Sequence, residues 1–286
     1  TIGAPPIAAL GPEWMKRKLL PEILGGEKIS ALAITEPSGG SDVANLKTTA
    51  RREGDHYVVN GSKMFITSGM RADYYTVAVR TGGPGAGGVS LLLIERERVG
   101  FARTKLKKMG WWASDTAQLF FDNVRVPVDN LIGPENKGFI GIMLNFNQER
   151  LGMSAGAWGY AKVCLDEAIA YARERHTFGK PLIANQVVRH RLVDMAMRIN
   201  AVQSTLELLA YRVGQGEKPV AEICMLKNLA TSTMEYCANE AMQIFGGAGY
   251  LRGAKVERIY RETKVMSIGG GSVEIMKDLA ARQMGL

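Results

Sequence analysis

The residue in this chain best placed for chemistry is a carboxylate on an apolar helical stripe. Phe139, Ile142, Phe146, Met153, Ala157, Tyr160, Cys164, Ala168 and Tyr171 follow a mixed spacing of three and four, which draws one helix face across residues 136–176. The stripe skips a member, and Glu149 stands at the gap. A carboxylate buried alone is strongly disfavoured, so it must be paired, protonated or kept there as a base. Spacing alone favours a paired glutamate, with Arg150 or a neighbouring helix as its partner, over a catalytic base.

Four further stretches carry groups suited to a ligand. Thr35-Glu36-Pro37-Ser38-Gly39-Gly40-Ser41-Asp42 leaves a strand with glycines and hydroxyls whose backbone can approach a bound group, and a tight turn is the simpler account of the same residues. Thr67-Ser68-Gly69 ends a second strand with two hydroxyls. Arg175 to Lys180 places cations and a histidine at a helix C-terminus, where they compensate the helix dipole or hold a phosphate. Gln243 to Gly249 ends a helix with three glycines where one suffices for a cap, which suggests close backbone contact with a ligand or another chain. Glycines 138, 141, 152, 156 and 159 interrupt the long helix at about 1 kcal/mol each relative to alanine. Close helix packing or a flat cofactor would offset that.

The elements that must position these residues follow from the pattern. The 286 residues are 46% hydrophobic and 22% charged, a globular composition large enough for two cores. The longest apolar runs, Val89 to Ile94 and Ile140 to Leu144, fall far short of the roughly 20 residues that span a bilayer. The net charge of +8 is scattered rather than gathered in a patch, which argues against nucleic acid. Cys164, Cys224 and Cys237 lie in helical patterns without metal-ligand spacing, which reads as reduced thiols in a cytosol-like compartment and no metal site. Thr1 to Pro6 show no targeting pattern, and an upstream segment is expected to be missing.

A short helix is expected from Pro12 to Leu24. The period then changes to two, with strands at Ser30–Thr35, Tyr57–Val59, Lys63–Thr67, Tyr74–Arg80, Val89–Ile94, Ala117–Phe121 and Val124–Val126. Asn60-Gly61 reads as a hairpin turn between two of them. After Gly133-Pro134-Glu135 the pattern is helical: the long helix, then Asn185–Val213, Pro219–Phe245, Val256–Ile268 and Val273–Gln283. The fold class is therefore α+β, an antiparallel barrel or sandwich over 28–133 followed by an up-down helical bundle over 134–286, with 1–27 as the tail of something larger.

Five stretches taken in order, A-I-T-E-P-S-G-G-S-D-V, N-G-S-K-M-F-I-T-S-G, K-M-G-W-W-A-S-D-T, R-E-R-H-T-F-G-K-P-L and Q-I-F-G-G-A-G-Y-L, resemble the acyl-CoA dehydrogenase family from about Pro5 to the last residue. The resemblance implies that residues 1–27 are the remnant of an N-terminal helical domain, most of which this chain lacks. It implies FAD held between β-domain and bundle, and a homotetramer built as a dimer of dimers. By position, Leu32, Ile34, Thr35, Phe65, Ile66 and Thr67 would meet the flavin, with the Thr67 hydroxyl near N5. Arg175, Thr177, Phe178 and Gln186, with Ser272 and Glu274, would also reach FAD. Gln243, Ile244, Phe245, Gly246 and Gly247 would meet the adenosine diphosphate half from a neighbouring subunit. Ser41, Asn147, Arg150 and Gly271 would contact the acyl-CoA.

One departure from the family is informative. Many members carry the catalytic glutamate in Tyr-Glu-Gly-Thr, which corresponds here to Gly269-Gly270-Gly271-Ser272. Gly270 thus stands in the base position. Members resembling the long-chain and isovaleryl enzymes instead place the base on the long helix, in a Glu-Arg pair that matches Glu149-Arg150. The resemblance therefore moves Glu149 from paired glutamate to base. It implies that Glu149 removes the pro-R α-proton while the β-hydrogen leaves as hydride to flavin N5, giving trans-2-enoyl-CoA. The backbone N–H at Gly270 would stabilise the enolate-like oxygen. Electrons would pass to an electron-transfer flavoprotein, as in fatty-acid β-oxidation in a bacterial-type cytoplasm or mitochondrial matrix. An acyl-CoA oxidase and a non-catalytic flavin-binding scaffold are the competing expectations.

Overall fold

The computed structural model describes Ile2 to Leu286, the side chain of Leu144 apart. Two compact units divide it, residues 1–145 and 146–286. The first opens with helices α1 (Ala4–Leu10) and α2 (Glu13–Leu24). Pro12 caps α2 and Gly25 ends it, as the punctuation of the sequence predicts.

Eight strands follow: β1 (Ser30–Ala33), β2 (Thr49–Glu53), β3 (His56–Thr67), β4 (Tyr74–Arg80), β5 (Val89–Glu95), β6 (Phe101–Lys105), β7 (Thr116–Pro127) and β8 (Leu131–Ile132). They form one sheet in the order β6-β7-β3-β2-β4-β5-β8, with β1 beside β4. The sheet is mixed, because β1 and β2 both meet β4 in parallel, and it does not close into a barrel. Alternating residues such as Tyr57, Val59, Tyr75, Val77, Leu119 and Val126 fill its core.

Two expectations for this sheet need correction. Asn60-Gly61 is no hairpin turn: β3 runs straight through it, with a register shift against β7 between Val59 and Gly61. The hairpin that ends in β3 turns at Gly54-Asp55 instead, where Gly54 has φ +62°. Gly61 is required by a distant neighbour. Its φ is +142°, and a Cβ there would lie 2.7 Å from the Cα of Thr48. Gly61→Ala is therefore expected to lower stability by about 2 kcal/mol. An unshifted urea midpoint in that variant would refute the close approach. The second correction concerns Ala117–Phe121 and Val124–Val126, which are one strand: Asn123 takes φ +50° and resets the alternation within β7.

Helix α3 (Gly138–Glu174) contains the boundary between the units. A short hairpin of β9 (His176–Thr177) and β10 (Lys180–Pro181) leads to α4 (Gln186–Gly214), α5 (Val220–Phe245), α6 (Lys255–Ile268) and α7 (Val273–Met284). Gly214 to Gly216, Gly246-Gly247 and Gly269 to Gly271 separate them, so these helices end close to where the glycines predict. The fold class expected from sequence holds. Helix α5 packs against α4, α6 and α7, and its small buried residues Ala221, Cys224, Ala230, Ala238 and Ala241 permit the close approach.

Candidate active site

In the second unit the long helix keeps Ala157, Cys164 and Ala168 of its expected face and differs in its large residues. The position that faces inward is Arg150, only 4% exposed, in register with the buried Ser154, Ala157, Ala161, Cys164, Ala168 and Ala172. Glu149 is half-buried on the flank of that face. The gap in the apolar stripe is thus filled by a cation, with the carboxylate beside it. The large residues Met153, Tyr160 and Tyr171 are likewise half-buried, because close packing of the inward face selects small side chains.

Arg150 reaches across to the loop between α6 and α7. Its Nε donates to the carbonyl of Gly270 at 3.0 Å, and its Nη1 donates to Oδ1 of Asn147 at 3.1 Å. The guanidinium carbon lies 5.5 Å from the centroid of the Phe146 ring. Burial draws the Arg150 pKa down, while the charge of Glu149 acts the other way.

The loop itself takes a conformation that favours glycine. Gly270 has φ +67° and Gly271 φ +111°, and a Cβ on Gly270 would lie 2.8 Å from Sδ of Met153. A second cation holds the next carbonyl: Nζ of Lys227, on α5 and wholly buried, donates to Gly271 O at 2.7 Å. Burial brings the Lys227 pKa down to about 8, and the charge of Arg150 pushes the same way. Ser272 caps α7 by accepting from the N–H of Ile275, and Glu274 is exposed in the first turn of that helix. Sequence reasoning missed Lys227. Its signal was a lysine set among Ile223, Cys224, Leu226 and Ala230, which share the buried surface of α5.

The other expected ligand residues of this unit lie at exposed ends of elements. Phe178 and Gly179 form the two-residue turn of the β9–β10 hairpin, with φ +50° and +78°. Phe178 is fully exposed, Arg175 and Gln186 are exposed, and Thr177 is half-buried. At the end of α5, Phe245 stacks on Tyr171 at 4.2 Å and the side chain of Ile244 is buried, whereas Gln243, Gly246 and Gly247 are exposed.

In the first unit the loop after β1 is held by an ion pair that the sequence did not reveal. Lys63 is wholly buried and donates to Glu36 at 2.9 Å and to the carbonyl of Ile34 at 3.0 Å. The Glu36 carboxylate also accepts from the amides of Lys47 at 2.6 Å and Thr48 at 2.8 Å. Burial alone would raise the Glu36 pKa, but Lys63 and these hydrogen bonds outweigh it and hold the carboxyl below its ordinary value. Met64 N–H donates to the carbonyl of Thr35 at 2.8 Å, so β3 and this loop are tied backbone to backbone. Leu32, Ile34 and Ile66 are buried, Thr35 and Thr67 half-buried, and Ser41 exposed. Phe65 is exposed at φ +61°.

Each unit by itself offers an exposed aromatic face that fits a flat heteroaromatic group, Phe65 in the first and Phe178 in the second. Each is flanked in sequence by donors suited to ring heteroatoms or phosphates, Thr67 in one unit and Arg175, Thr177 and Gln186 in the other.

Comparison with known proteins agrees with the two-part pattern. The family model described as acyl-CoA dehydrogenase, middle domain, matches residues 31–124, and that of the C-terminal domain matches residues 136–285. An acyl-CoA dehydrogenase of Alternaria alternata is 40% identical over 99% of this chain and 68% of its own length. The crystal structure of a probable acyl-CoA dehydrogenase from Mycobacterium abscessus, 50% identical, superposes with a TM-score of 0.98 over 99% of this chain and 76% of that one. A structure described as the electron transferring flavoprotein of Acidaminococcus fermentans is 35% identical, with a TM-score of 0.94 over 98% of this chain and 74% of that one. The chain belongs to the acyl-CoA dehydrogenase family. Members of that family are FAD-dependent oxidoreductases.

Proposed function

We propose that this chain takes part in the α,β-dehydrogenation of an acyl-CoA thioester to trans-2-enoyl-CoA, with Glu149 as the base. The observation that carries this reading is the α6–α7 loop: the position where many members carry a base is Gly270, and it is tied by Arg150 to the helix that bears Glu149. The Glu149 carboxylate takes the α-proton, and the electron pair left on Cα is shared with the thioester oxygen, where loop amides donate to it, and closes the Cα=Cβ bond as the β-hydrogen leaves with its own pair. FAD, when bound, accepts the β-hydrogen as hydride.

The chain's own residues prepare that step. Leu32, Ile34, Ile66, Phe65 and Thr67 would form a wall and a donor against the flavin ring. Thr35, Arg175, Thr177, Phe178, Gln186, Ser272 and Glu274, with the Gln243 to Gly247 segment, would hold the rest of the cofactor. Ser41, Asn147 and Gly271 would face acyl-CoA. Residues 1–27, 28–133 and 134–286 are assigned as a helical segment, β-domain and bundle. The likeness to the Acidaminococcus fermentans structure, described as an electron transferring flavoprotein, supports a flavoprotein of that kind as the electron acceptor. Exposed Val187, Val193, Met197, Leu208 and Tyr211 on α4 support assembly into a homotetramer, which light scattering would test. No described helix is long and apolar enough to cross a membrane.

The reading is tested by anaerobic addition of acyl-CoA esters to the flavin-loaded protein, with peroxide measured after air is admitted. Bleaching of the flavin with little peroxide is expected. A flavin that no ester bleaches would overturn the reading, and rapid peroxide formation would make the protein an oxidase. A further consequence concerns the vacant base position. Glu149→Gln combined with Gly270→Glu is expected to bleach at a rate about 100- to 1,000-fold below wild type, above that of Glu149→Gln alone, because the left-handed φ and Met153 crowd the new side chain without excluding it. No bleaching at all in a flavin-loaded double variant would argue that Gly270 does not face the α-carbon.

A further inference from the structure

The α6–α7 loop rests on two buried cations, which is more than its hydrogen bonding requires. A buried carbonyl is satisfied by any neutral donor, and burying an ammonium or guanidinium is strongly disfavoured. Here Arg150 donates to Gly270 O at 3.0 Å and Lys227 to Gly271 O at 2.7 Å, two successive carbonyls of one loop. Lys227 forms no ion pair among the described residues, so its charge is not cancelled by a contacting carboxylate.

Two geometric facts give this grip a direction. A trans peptide is planar, with its N–H pointing opposite to its C=O. Fixing Gly270 O and Gly271 O therefore fixes the N–H groups of Gly271 and Ser272 to point away from the two cations. Those N–H groups, and that of Gly270, meet no acceptor among the described residues. The two carbonyls of the loop are each held by a cation while its amides are open. A cation on a carbonyl also polarises the peptide and strengthens its N–H as a donor.

We propose that Arg150 and Lys227 are positioning residues that orient and polarise the Gly271 and Ser272 amides as donors to the thioester oxygen of acyl-CoA. The inference rests on the reading of this site as an acyl-CoA dehydrogenase centre and assigns a part to Lys227 within it. Neither cation need touch substrate. Their charge acts through the loop, at the oxygen where negative charge develops when the α-proton leaves.

The test compares wild type with Lys227→Met, Lys227→Gln and Lys227→Arg, all loaded with flavin, using acetoacetyl-CoA as the probe. Its α-protons ionise without hydride transfer, so the apparent pKa of the bound ligand, read from enolate absorbance against pH, reports oxyanion stabilisation apart from turnover. In the Met and Gln variants that pKa is expected to rise by about one unit. The turnover number with acyl-CoA should fall about 10- to 100-fold, with KM changed less than about threefold. The Arg variant should restore most of both. A Met or Gln variant that keeps its flavin and matches wild type in ligand pKa and turnover would overturn the proposal. So would a set in which neither Met nor Gln folds while Arg does, which would make Lys227 structural. Wild type that fails to ionise acetoacetyl-CoA and is not bleached by any acyl-CoA defeats the parent reading itself. A difference confined to wild type against variant tests the positioning role alone.

Discussion

Glu149→Gln is expected to leave flavin bound and to all but abolish its bleaching by acyl-CoA, with a rate about 10,000-fold below wild type. A positioned general base contributes about 100- to 10,000-fold, and glutamine offers no proton-accepting group at the pH of the assay. The upper end applies because an α-proton beside a thioester is far less acidic than a carboxylic acid, so proton removal depends on the base as well as on oxyanion stabilisation. The substitution is nearly isosteric and Glu149 is half-buried rather than in the core, so stability should change by no more than about 1 kcal/mol. Stopped-flow absorbance at the flavin band under anaerobic conditions measures the rate, and urea denaturation checks the fold. Bleaching within tenfold of wild type would place the base elsewhere.

The same helix shows what a sequence does and does not disclose. Its ends, and those of α4 and α5, were legible because glycine and proline punctuate them locally. Its inward face was legible in part. Ala157, Cys164 and Ala168 of the expected stripe are fully buried, whereas Met153, Tyr160 and Tyr171 are half-buried beside Ser154, Ala161 and Ala172, which join the buried line with Arg150 at its head. Hydrophobicity marks what leaves water, whereas close helix packing selects for size, so the small residue next to each large one lies deeper.

The chemistry of Gly270 was legible because it was a vacancy in a motif. The grip of Lys227 on Gly271 was not, since it joins residues 44 apart in the chain. Asn60-Gly61 failed for the same reason: the cause of the glycine is Thr48, which no local window contains together with a turn signal. Buried polar partners on separate elements are the part of a site that periodicity cannot supply.

The buried pair in the first unit gives the largest expected loss of stability. Lys63→Met is expected to destabilise the protein by about 3–5 kcal/mol at pH 7, because it leaves the Glu36 carboxylate buried without its counter-charge. Adding Glu36→Gln should recover part of that loss, since no charge is then left buried and the Gln Oε1 keeps an acceptor for one of the Lys47 and Thr48 amides.

The pH dependence has a definite sign. In wild type the Glu36 pKa is held below its ordinary value of 4.5, so its contribution is fully present above that pH and is lost as pH falls through the lower folded value. In Lys63→Met burial is left to dominate and the carboxyl pKa rises above 4.5, so the variant is relieved as acid protonates the group. The stability gap between the two proteins should therefore narrow from pH 7 to pH 5. Function should follow, because the pair and the Met64-to-Thr35 hydrogen bond fix the segment that the proposed function sets against flavin, and flavin content after purification should fall with stability. Urea midpoints at the two pH values decide the matter: a loss under about 1 kcal/mol at pH 7, or a gap that widens in acid, would mean that the pair does not anchor this loop.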